Sequence, residues 1–356
     1  MKKMLMLIIC LLLCSCSKVD DVFRNVIIDD IEDNHLTLTF VGDALVHTPI
    51  YEDAYRNGLY DFSSIFTEIK DEFKDRDILF YNQETIIGGS DIPYSGYPNF
   101  NTPSYFADEM IKMGFNLVSR ANNHTLDKGE VGVYNACNYW NKKDVLTNGS
   151  ACTKDERDNI QIRSKNGISY ALLSYTTILN SDKPKEDYYV NVFSYDKALS
   201  DLEKVCEADL IIVSMHWGCE YEEKENENQR EIAKFLKENG ADIIVGTHPH
   251  VIEPVIKEDD TVVFYSLGNF VSSQSIIDDY ERRIGLLANV DVVKSDGKIN
   301  IVNLNTKLIY TYSNGTKDYK IYTFEKLNDK ILPNYKNYKV KYEKIIKMYD
   351  NNIQVR

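Results

Sequence analysis

Apolar, strand-like segments in this chain repeatedly end on a polar side chain of a kind that binds metal ions. Five such segments lead into the following residues: Asp43, Glu84, Asn123-His124, His216, and the pair His248 and His250. In open α/β sheets the carboxyl ends of the strands share one edge, where ligands bind. Carboxylate, amide and imidazole groups together suit Zn²⁺, Mn²⁺ or Fe²⁺ better than an ion that takes only oxygen ligands. The pattern therefore predicts an α/β fold with one metal-binding edge.

Helix-like segments separate these strands, as an α/β architecture requires. The predicted strands cover 36–46, 77–81, 115–120, 209–215 and 243–245. The predicted helices cover 62–75, 103–114, 129–142, 195–208 and 222–240. Two hairpins are expected, around 160–175 and 286–306, because Asn166-Gly167 and Asp296-Gly297 favour tight turns. These hairpins would add an antiparallel portion to the fold.

Composition narrows the class of partner. The 356-residue chain carries a formal net charge of −14. This charge argues against nucleic acid as a partner, because a phosphate backbone requires a basic surface. A polyanion would approach such a protein where bound cations reverse the local potential. Four cysteines follow the N-terminal region and are expected to be buried or paired, with no catalytic role: Cys137, Cys152, Cys206 and Cys219.

The N-terminus predicts export. Two lysines precede an apolar run at 4–13, which is too short for a stable membrane span. The run ends in Leu13-Cys14-Ser15-Cys16, which resembles a bacterial lipoprotein box with Cys16 as the acylated residue. We expect a signal peptide at 1–16, a flexible tether at 17–35, and a lipid anchor on the extracytoplasmic face of the cell membrane. An ordinary secretory signal is the alternative.

Each candidate ligand has a simpler structural explanation when it is taken alone. Asp43 could end a turn, Asn123 could cap the next helix, and His248-Pro249-His250 could be a rigid turn. His47 could be a surface residue, and the loop at 86–103 could be an ordinary exposed loop. Because the candidates coincide at strand ends, we favour the metal-site interpretation.

Six blocks carry a resemblance to a known family: GDALVH, NQE, ANNHTLDKG, MHWGCEY, GTHPHV and YSLGNF. In this order, over about residues 36–310, they resemble the CapA family of bacterial proteins associated with poly-γ-glutamate capsules. That family is similar to the calcineurin-like metallophosphoesterases. The resemblance implies a four-layer α/β/β/α sandwich of the metallophosphoesterase type at 36–312. The weak periodicity of the residues that follow predicts a terminal helix or a C-terminal appendage at 313–356.

The resemblance also implies a set of metal ligands: Asp43, His47, Glu84, Asn123, His216, His248 and His250. Glu84 would bridge two divalent ions, which we expect to be Mn, Zn or Fe. His216 and His248 would bind one ion, and His250 would bind the other.

Other residues are expected to act on the substrate. The resemblance implies that His124 would polarise the substrate or donate a proton, and Asp127 is expected to be catalytic together with His124. Four residues are expected as substrate contacts at the rim: Asn82, Tyr97, Asn101 and Asn269.

The chain departs from the related patterns at three places. The phosphoesterases have Asp-x-His in the first block, whereas here His47 lies four residues beyond Asp43. They have Gly-Asp where this chain has Asn82-Gln83-Glu84, and many CapA relatives have a histidine where this chain has Thr247. These three departures leave the number of bound metals and the phosphatase chemistry open, whereas they affect the predicted fold less.

Three functions remain open at this point. The first is a lipid-anchored, metal-dependent hydrolase of capsule or poly-γ-glutamate biosynthesis, acting on a phosphoester or on a γ-glutamyl amide bond. The second is a non-catalytic surface scaffold that binds the anionic polymer or membrane polymer synthase subunits. The third is an exported metallophosphoesterase without a role in the capsule.

Overall fold

A computed structural model describes residues 34–258, 260–274 and 280–356. The predicted signal peptide, the acylation site Cys16 and residues 17–33 of the predicted tether lie outside this part of the chain. Within it, no helix combines the length and the apolar character needed to cross a membrane.

Two mixed sheets form the centre of the fold. The strands of the described chain are β1 (His35–Leu45), β2 (Tyr55–Arg56), β3 (Leu59–Tyr60), β4 (Ile78–Asn82), β5 (Leu117–Ser119), β6 (Leu146–Asn148), β7 (Ile162–Lys165), β8 (Ile168–Thr176), β9 (Leu210–His216), β10 (Ile243–Thr247), β11 (Val255–Glu258), β12 (Thr261–Phe264), β13 (Asn269–Ser272), β14 (Ile284–Ser295), β15 (Lys298–Asn314), β16 (Lys317–Thr323) and β17 (Gln354–Val355). The first sheet has the order β16-β15-β14-β1-β4-β5-β6, with β13 beside β1 and β17 beside β15. The second has the order β11-β12-β10-β9-β8-β7, and β2 pairs with β3 alone.

Parallel pairing brings the strand ends of each sheet to one edge. In the first sheet β1, β4, β5 and β6 run parallel to their neighbours in that series. In the second sheet β8, β9, β10 and β12 do the same. The predicted hairpins are also present, as β7–β8 and β14–β15, and their turn residues Asn166-Gly167 and Asp296-Gly297 all have positive φ.

Helices cover the outer face of each sheet. The α-helices are α1 (Thr48–Ala54), α2 (Tyr105–Lys112), α3 (Gly129–Trp140), α4 (Lys154–Asp158), α5 (Tyr195–Val205), α6 (Glu227–Glu238) and α7 (Tyr335–Ile346). Phe106 of α2 and Trp140 of α3 share one apolar cluster with the first sheet, whereas Leu202 of α5 and Leu236 of α6 share another with the second.

The inner faces of the two sheets pack directly on each other. Phe40 of β1 and Phe264 of β12 meet with ring centroids 6.0 Å apart. Each large apolar side chain buried in this way contributes about 1.5–3 kcal/mol of transfer free energy. The fold is therefore a four-layer α/β/β/α sandwich, as the sequence resemblance implied.

Two segments differ from their sequence predictions. The region 62–75 forms short 3-10 turns at Ser63–Phe66 and Lys70–Phe73 in place of one α-helix. Its apolar residues are buried and have a helical spacing. The backbone hydrogen bonds, however, join residues three positions apart, as a 3-10 helix requires; one runs from the Ile69 N–H to the Phe66 carbonyl. In the C-terminal region, assigned to an appendage, β16 extends the first sheet and Tyr342 of α7 joins the core between the sheets.

Residues 265–268 carry the chain from β12 in the second sheet to β13 in the first. The N–H of Leu267 donates to the carbonyl of Gly246 in β10, at 3.1 Å. The carbonyl of Gly268 accepts from the N–H of Asp43 in β1, at 3.0 Å. This crossing segment, residues 265–268, is thus hydrogen-bonded to both sheets beside the shared edge.

Close approach at this crossing predicts a strict requirement for glycine at position 42. A Cβ added there would lie 1.8 Å from the Gly268 carbonyl oxygen, so Gly42→Ala must push β1 and the crossing segment apart. We expect a loss of about 2–4 kcal/mol in the free energy of unfolding, measured by thermal or urea denaturation. Gly58→Ala is the control, because its φ is +88° but no atom lies within 4 Å of the added Cβ. It should cost about 1 kcal/mol, and equal losses in the two variants would contradict the close-packing explanation.

Glu253 is a fully buried acid in the second sheet's half of the molecule. Its Oε2 accepts from Gln229 Nε2 of α6 at 2.7 Å, and its backbone N–H donates to the Ser266 carbonyl at 3.1 Å. Burial raises the pKa of Glu253 to about 8, although the Gln229 hydrogen bond acts in the opposite direction.

This raised pKa predicts how stability changes with pH. The folded protein holds the Glu253 proton more tightly than the unfolded chain does. The contribution of Glu253 to the free energy of unfolding is therefore largest below its unfolded pKa of about 4.3, and it is lost as the pH rises to about 8. In the wild type, the free energy of unfolding measured by urea denaturation should fall by on the order of a few kcal/mol between pH 5 and pH 8, and in Glu253→Gln this decrease should be absent. The exposed Glu258→Gln should leave the pH profile unchanged. A wild-type slope that persists in Glu253→Gln would assign the effect to another group.

Candidate metal centre

The six principal candidate ligands meet at one edge of the sandwich, and each sheet supplies half of them. The ends of β1, β4 and β5 in the first sheet contribute oxygen ligands: Asp43, Glu84 and Asn123. The ends of β9 and β10 in the second sheet contribute imidazoles: His216, His248 and His250. All six residues are buried. An ion bound to both kinds of ligand would therefore join the two sheets.

Ligand atoms fall into two groups that share Glu84. In the first group Asp43, Glu84 and His250 present atoms within 4.8 Å of one another. In the second group Glu84, His216 and His248 do so. Two-metal sites hold their ions about 3.5–4 Å apart, a spacing that one carboxylate can bridge. The two groups thus have the Glu84 carboxylate in common.

The Glu84 carboxylate is fully buried, and its hydrogen bonding is incomplete. Neither oxygen has a hydrogen-bond partner among the described residues. The Nε2 atoms of His250 and His216 lie 3.6 and 3.9 Å from Oε1. Burial, and then the negative charge of Asp43, raise the pKa of Glu84 well above its usual range. An ionised carboxylate in this position is unfavourable unless a cation accompanies it, so Glu84 fits a metal ligand.

His216 is held by a contact on each ring nitrogen. Its Nδ1 lies 3.0 Å from Thr247 Oγ1, and its Nε2 lies 2.9 Å from Asn123 Oδ1. Burial and the neighbouring His248 lower the pKa of His216 well below its usual value, so the ring is neutral, as a metal ligand must be. Thr247 was not assigned from the sequence; in the structure it orients a candidate ligand.

The two histidines around Pro249 both adopt left-handed backbone conformations. Their φ values are 96° for His248 and 60° for His250, and such conformations cost on the order of 1–3 kcal/mol for residues other than glycine. The result is that the ring of His248 lies 4.7 Å from that of His216 and 5.8 Å from that of His250, between centroids. The rigid turn that His248-Pro249-His250 could form is thus built with positive φ at both histidines.

His248 and His250 differ in charge state. Burial lowers the pKa of His248 to about 4, and its Nδ1 has no hydrogen-bond partner within the described chain. Burial also disfavours a charged His250, but the carboxylates of Glu84 and Asp43 outweigh this effect and raise the pKa of His250 to about 9. A metal would therefore displace a proton from His250 on binding.

Two asparagines that were expected as substrate contacts are fully buried behind the ligands. Asn82 Nδ2 donates to Asp43 Oδ1 at 2.8 Å. Asn269 Oδ1 lies 3.0 Å from His250 Nδ1. In the structure both amides orient candidate ligands.

Asp127 connects His124 to the loop at 86–103. Its Oδ2 lies 2.7 Å from His124 Nδ1 and accepts from the Phe100 N–H, also at 2.7 Å. The Phe100 ring meets the His124 ring edge-on, with centroids 4.7 Å apart. Asp127 therefore fixes His124 through Nδ1, and the amide nitrogen of Asn180 lies 3.4 Å from the other ring nitrogen, Nε2.

The remaining candidates lie outside the two ligand groups. His47 Nδ1 lies 2.9 Å from the Leu45 carbonyl, and burial lowers the pKa of His47 to about 4. Tyr97 is 79% exposed. Asn101 is fully buried, and its side chain accepts from the Gly88 N–H and donates to loop carbonyls. Asn101 thus holds the loop together in this structure.

Glu220 was not identified from the sequence. It presents a carboxylate oxygen within 4.8 Å of ligand atoms of His248 and His250, and it is exposed. It does not directly follow a strand, which is why the strand-end pattern missed it. Its place in the MHWGCEY block, four residues after His216, is the signal that could have indicated it.

The expectation that all four cysteines are buried or paired is wrong for three of them. Cys206 and Cys219 are exposed and free. Cys137 is buried, Cys152 is partly exposed, and both are free.

Comparison with known proteins places the chain in a family. Residues 37–274 match the family model described as bacterial capsule synthesis protein PGA_cap. The PGA biosynthesis protein CapA of Bacillus subtilis (strain 168) is 29% identical over 257 residues, which cover 68% of this chain and 64% of that protein. The capsule biosynthesis protein CapA of Bacillus anthracis is 29% identical over 280 residues, covering 74% and 67%. The chain thus spans about two thirds of the length of these relatives.

Among solved structures, a calcineurin-like phosphoesterase from Bacillus subtilis aligns with a TM-score of 0.47 and 16% identity, over 77% of this chain and 90% of that one. The family match is the stronger finding, because it covers the strand ends that carry every principal candidate ligand. This chain is a member of the bacterial capsule synthesis protein family PGA_cap.

Proposed function

We propose that this protein is an exported, lipid-anchored, metal-dependent hydrolase that acts in poly-γ-glutamate capsule biosynthesis. The observation that carries the proposal is Glu84, a fully buried carboxylate without hydrogen-bond partners in the described chain, shared by two groups of candidate ligands. The family and the names of the relatives support the capsule context. The site would take two divalent ions, Mn, Zn or Fe.

The chain's own residues suggest how the chemistry would proceed. Divalent ions held at the centre would act as Lewis acids and stabilise negative charge that develops at the attacked bond. Asp127 Oδ2 lies at His124 Nδ1, so a doubly protonated His124 would keep the hydrogen bond to Asp127 and donate its Nε2 proton to the leaving group. The substrate bond would be a γ-glutamyl amide or a phosphoester, and Asp127 would keep the His124 ring aligned with it.

The N-terminal segment supports the proposed location. Leu13-Cys14-Ser15-Cys16 has the form of a lipoprotein box, so Cys16 would carry the lipid and the folded domain would lie outside the cytoplasmic membrane. From there it would meet the anionic polymer and the membrane subunits of a polymer synthase.

Metal content is the first test of this proposal. The wild-type protein should retain up to two equivalents of Mn, Zn or Fe, measured by mass spectrometry of the purified protein. Glu84→Gln should lose both, because the carboxylate common to the two ligand groups is removed.

Glu253→Gln is the matched control for Glu84→Gln. Glu253 is also fully buried and has one oxygen without a partner in the described chain, but it belongs to neither ligand group. This control should keep wild-type metal content. Full occupancy in Glu84→Gln, with a native circular dichroism spectrum, would place the metal elsewhere.

Activity is the second test. His124→Ala should lower the rate of cleavage about 10²–10⁴-fold while metal content is retained, because it removes a proton donor and no principal ligand. Release of glutamyl fragments from poly-γ-glutamate, compared with hydrolysis of a generic phosphodiester, identifies the bond. Cleavage of the phosphodiester alone would indicate an exported phosphoesterase. A metal-loaded protein that cleaves neither would be a scaffold.

A further inference from the structure

A cavity separate from the candidate metal centre lies between edge strands of the two sheets, β6 of the first and β7 of the second. It has a volume of about 380 Å³ and is lined by β6 at the edge of the first sheet and by Arg163 of β7 at the edge of the second. This volume lies within the range of small-molecule sites, about 300–1,000 Å³. None of the candidate metal ligands lines it. Arg120 and Ser150 also line a smaller cavity that reaches Glu84.

The lining of this edge cavity is cationic, in contrast to the acidic chain as a whole. Four cationic side chains line it: Arg120, Lys143, Arg157 and Arg163. Glu156 is the acidic residue of the lining. Cationic side chains are thus concentrated at this cavity in a protein of net charge −14.

Three of the four cations already have carboxylate partners within the protein. The Arg157 guanidinium lies 2.6 Å from Asp201, the Lys143 ammonium lies 2.6 Å from Asp108, and the Arg163 guanidinium lies 3.1 Å from Asp144. The side chain of Asp144 is 99% exposed, so solvent screens the Arg163 pair.

Arg120 differs from the other three cations. It is only 6% exposed, and no carboxylate of the described chain lies within ion-pair distance of it. One Nη donates to the Ser150 carbonyl, the other lies 3.8 Å from Cys137 Sγ, and Nε has no hydrogen-bond partner within the described residues. A buried guanidinium is costly without a counter-charge, and the cavity beside it is where a ligand could supply one.

The neutral lining residues indicate which anion fits. The amide side chains of Asn141, Asn159 and Gln161 line the cavity and are exposed. Amide side chains both donate to and accept from peptide-type bonds. A guanidinium fork matches a carboxylate or a phosphate equally well, but the amides favour a ligand that carries amide bonds together with carboxylates.

We propose that this edge cavity binds a γ-glutamyl segment, with a carboxylate of the segment paired to Arg120 and its amide bonds against the asparagine and glutamine side chains. The identity of the polymer rests on the proposed function, but binding at this cavity does not require the metal centre. The protein would thereby hold the polymer at a point separate from the site of chemistry.

Calorimetric titration of the purified protein with a short γ-linked glutamate oligomer, with and without chelator, tests this site. Arg120→Gln should weaken binding about tenfold or more, because a charge-assisted hydrogen bond is lost. Lys143→Gln combined with Arg163→Gln should weaken it several-fold and leaves the buried Arg120 in place, and a circular dichroism spectrum equal to that of the wild type would show that both variants are folded. Arg56→Gln combined with Lys112→Gln is the control, since both cations are exposed and lie outside the cavity lining; it should bind within about twofold of wild type.

Two ligand controls define the chemistry. A γ-linked glutamine oligomer lacks the carboxylates and should not bind, and inorganic phosphate should not displace the glutamate oligomer. Unchanged affinity in both cavity variants would overturn the proposal, as would displacement by phosphate or equal binding of the neutral oligomer. Because the titration with chelator needs no metal, absence of metal or of cleavage would count against the proposed hydrolase and leave this result standing.

Discussion

The buried Asp43 carboxylate joins the two sheets at the edge where the candidate ligands meet. Its Oδ1 accepts from the Asn82 amide at the end of β4 in the first sheet. Its Oδ2 accepts from the backbone N–H of His248, in the turn after β10 of the second sheet, at 3.0 Å. Hydrogen bonds to a charged group contribute about 1.5–3 kcal/mol each when they are shielded from water. The crossing segment is hydrogen-bonded to the same residue, so the relative position of the two halves of the centre depends on this contact.

The centre collects several features that are unfavourable in the protein alone. Glu84 is a buried acid without hydrogen-bond partners in the described chain, and two histidines have strained backbones. Such features persist where the surrounding fold determines them strongly, and they concentrate at functional sites. Here the surroundings are two tightly packed sheets, and a cation at Glu84 would offset the cost of its burial. At the edge cavity the buried charge is positive: Arg120 is a buried cation beside an open volume, and a bound anion would offset the cost of its burial.

Much of the fold and most of the candidate ligand set could be predicted from the sequence, because both depend on local patterns. Strand ends are visible as apolar runs that stop at a polar residue, and the hairpins follow from Asn166-Gly167 and Asp296-Gly297. The 3-10 turns at 62–75 were missed because their apolar spacing resembles that of an α-helix. The roles of Asn82 and Asn269 as supports for Asp43 and His250 were missed because they depend on contacts between segments distant in sequence.

The sequence by itself determined that this chain is an α/β protein with histidines and acids at its strand ends, since periodicity and turn chemistry are local properties. In the sequence the principal candidate ligands with oxygen atoms precede those with imidazole rings, but the sequence does not show that the two kinds belong to different sheets. Only the tertiary structure decided that Glu84 is common to two ligand groups and that Arg120 is buried without a carboxylate partner in the described chain. Burial and the distance between remote side chains arise when the two sheets pack face to face, and no local pattern encodes them.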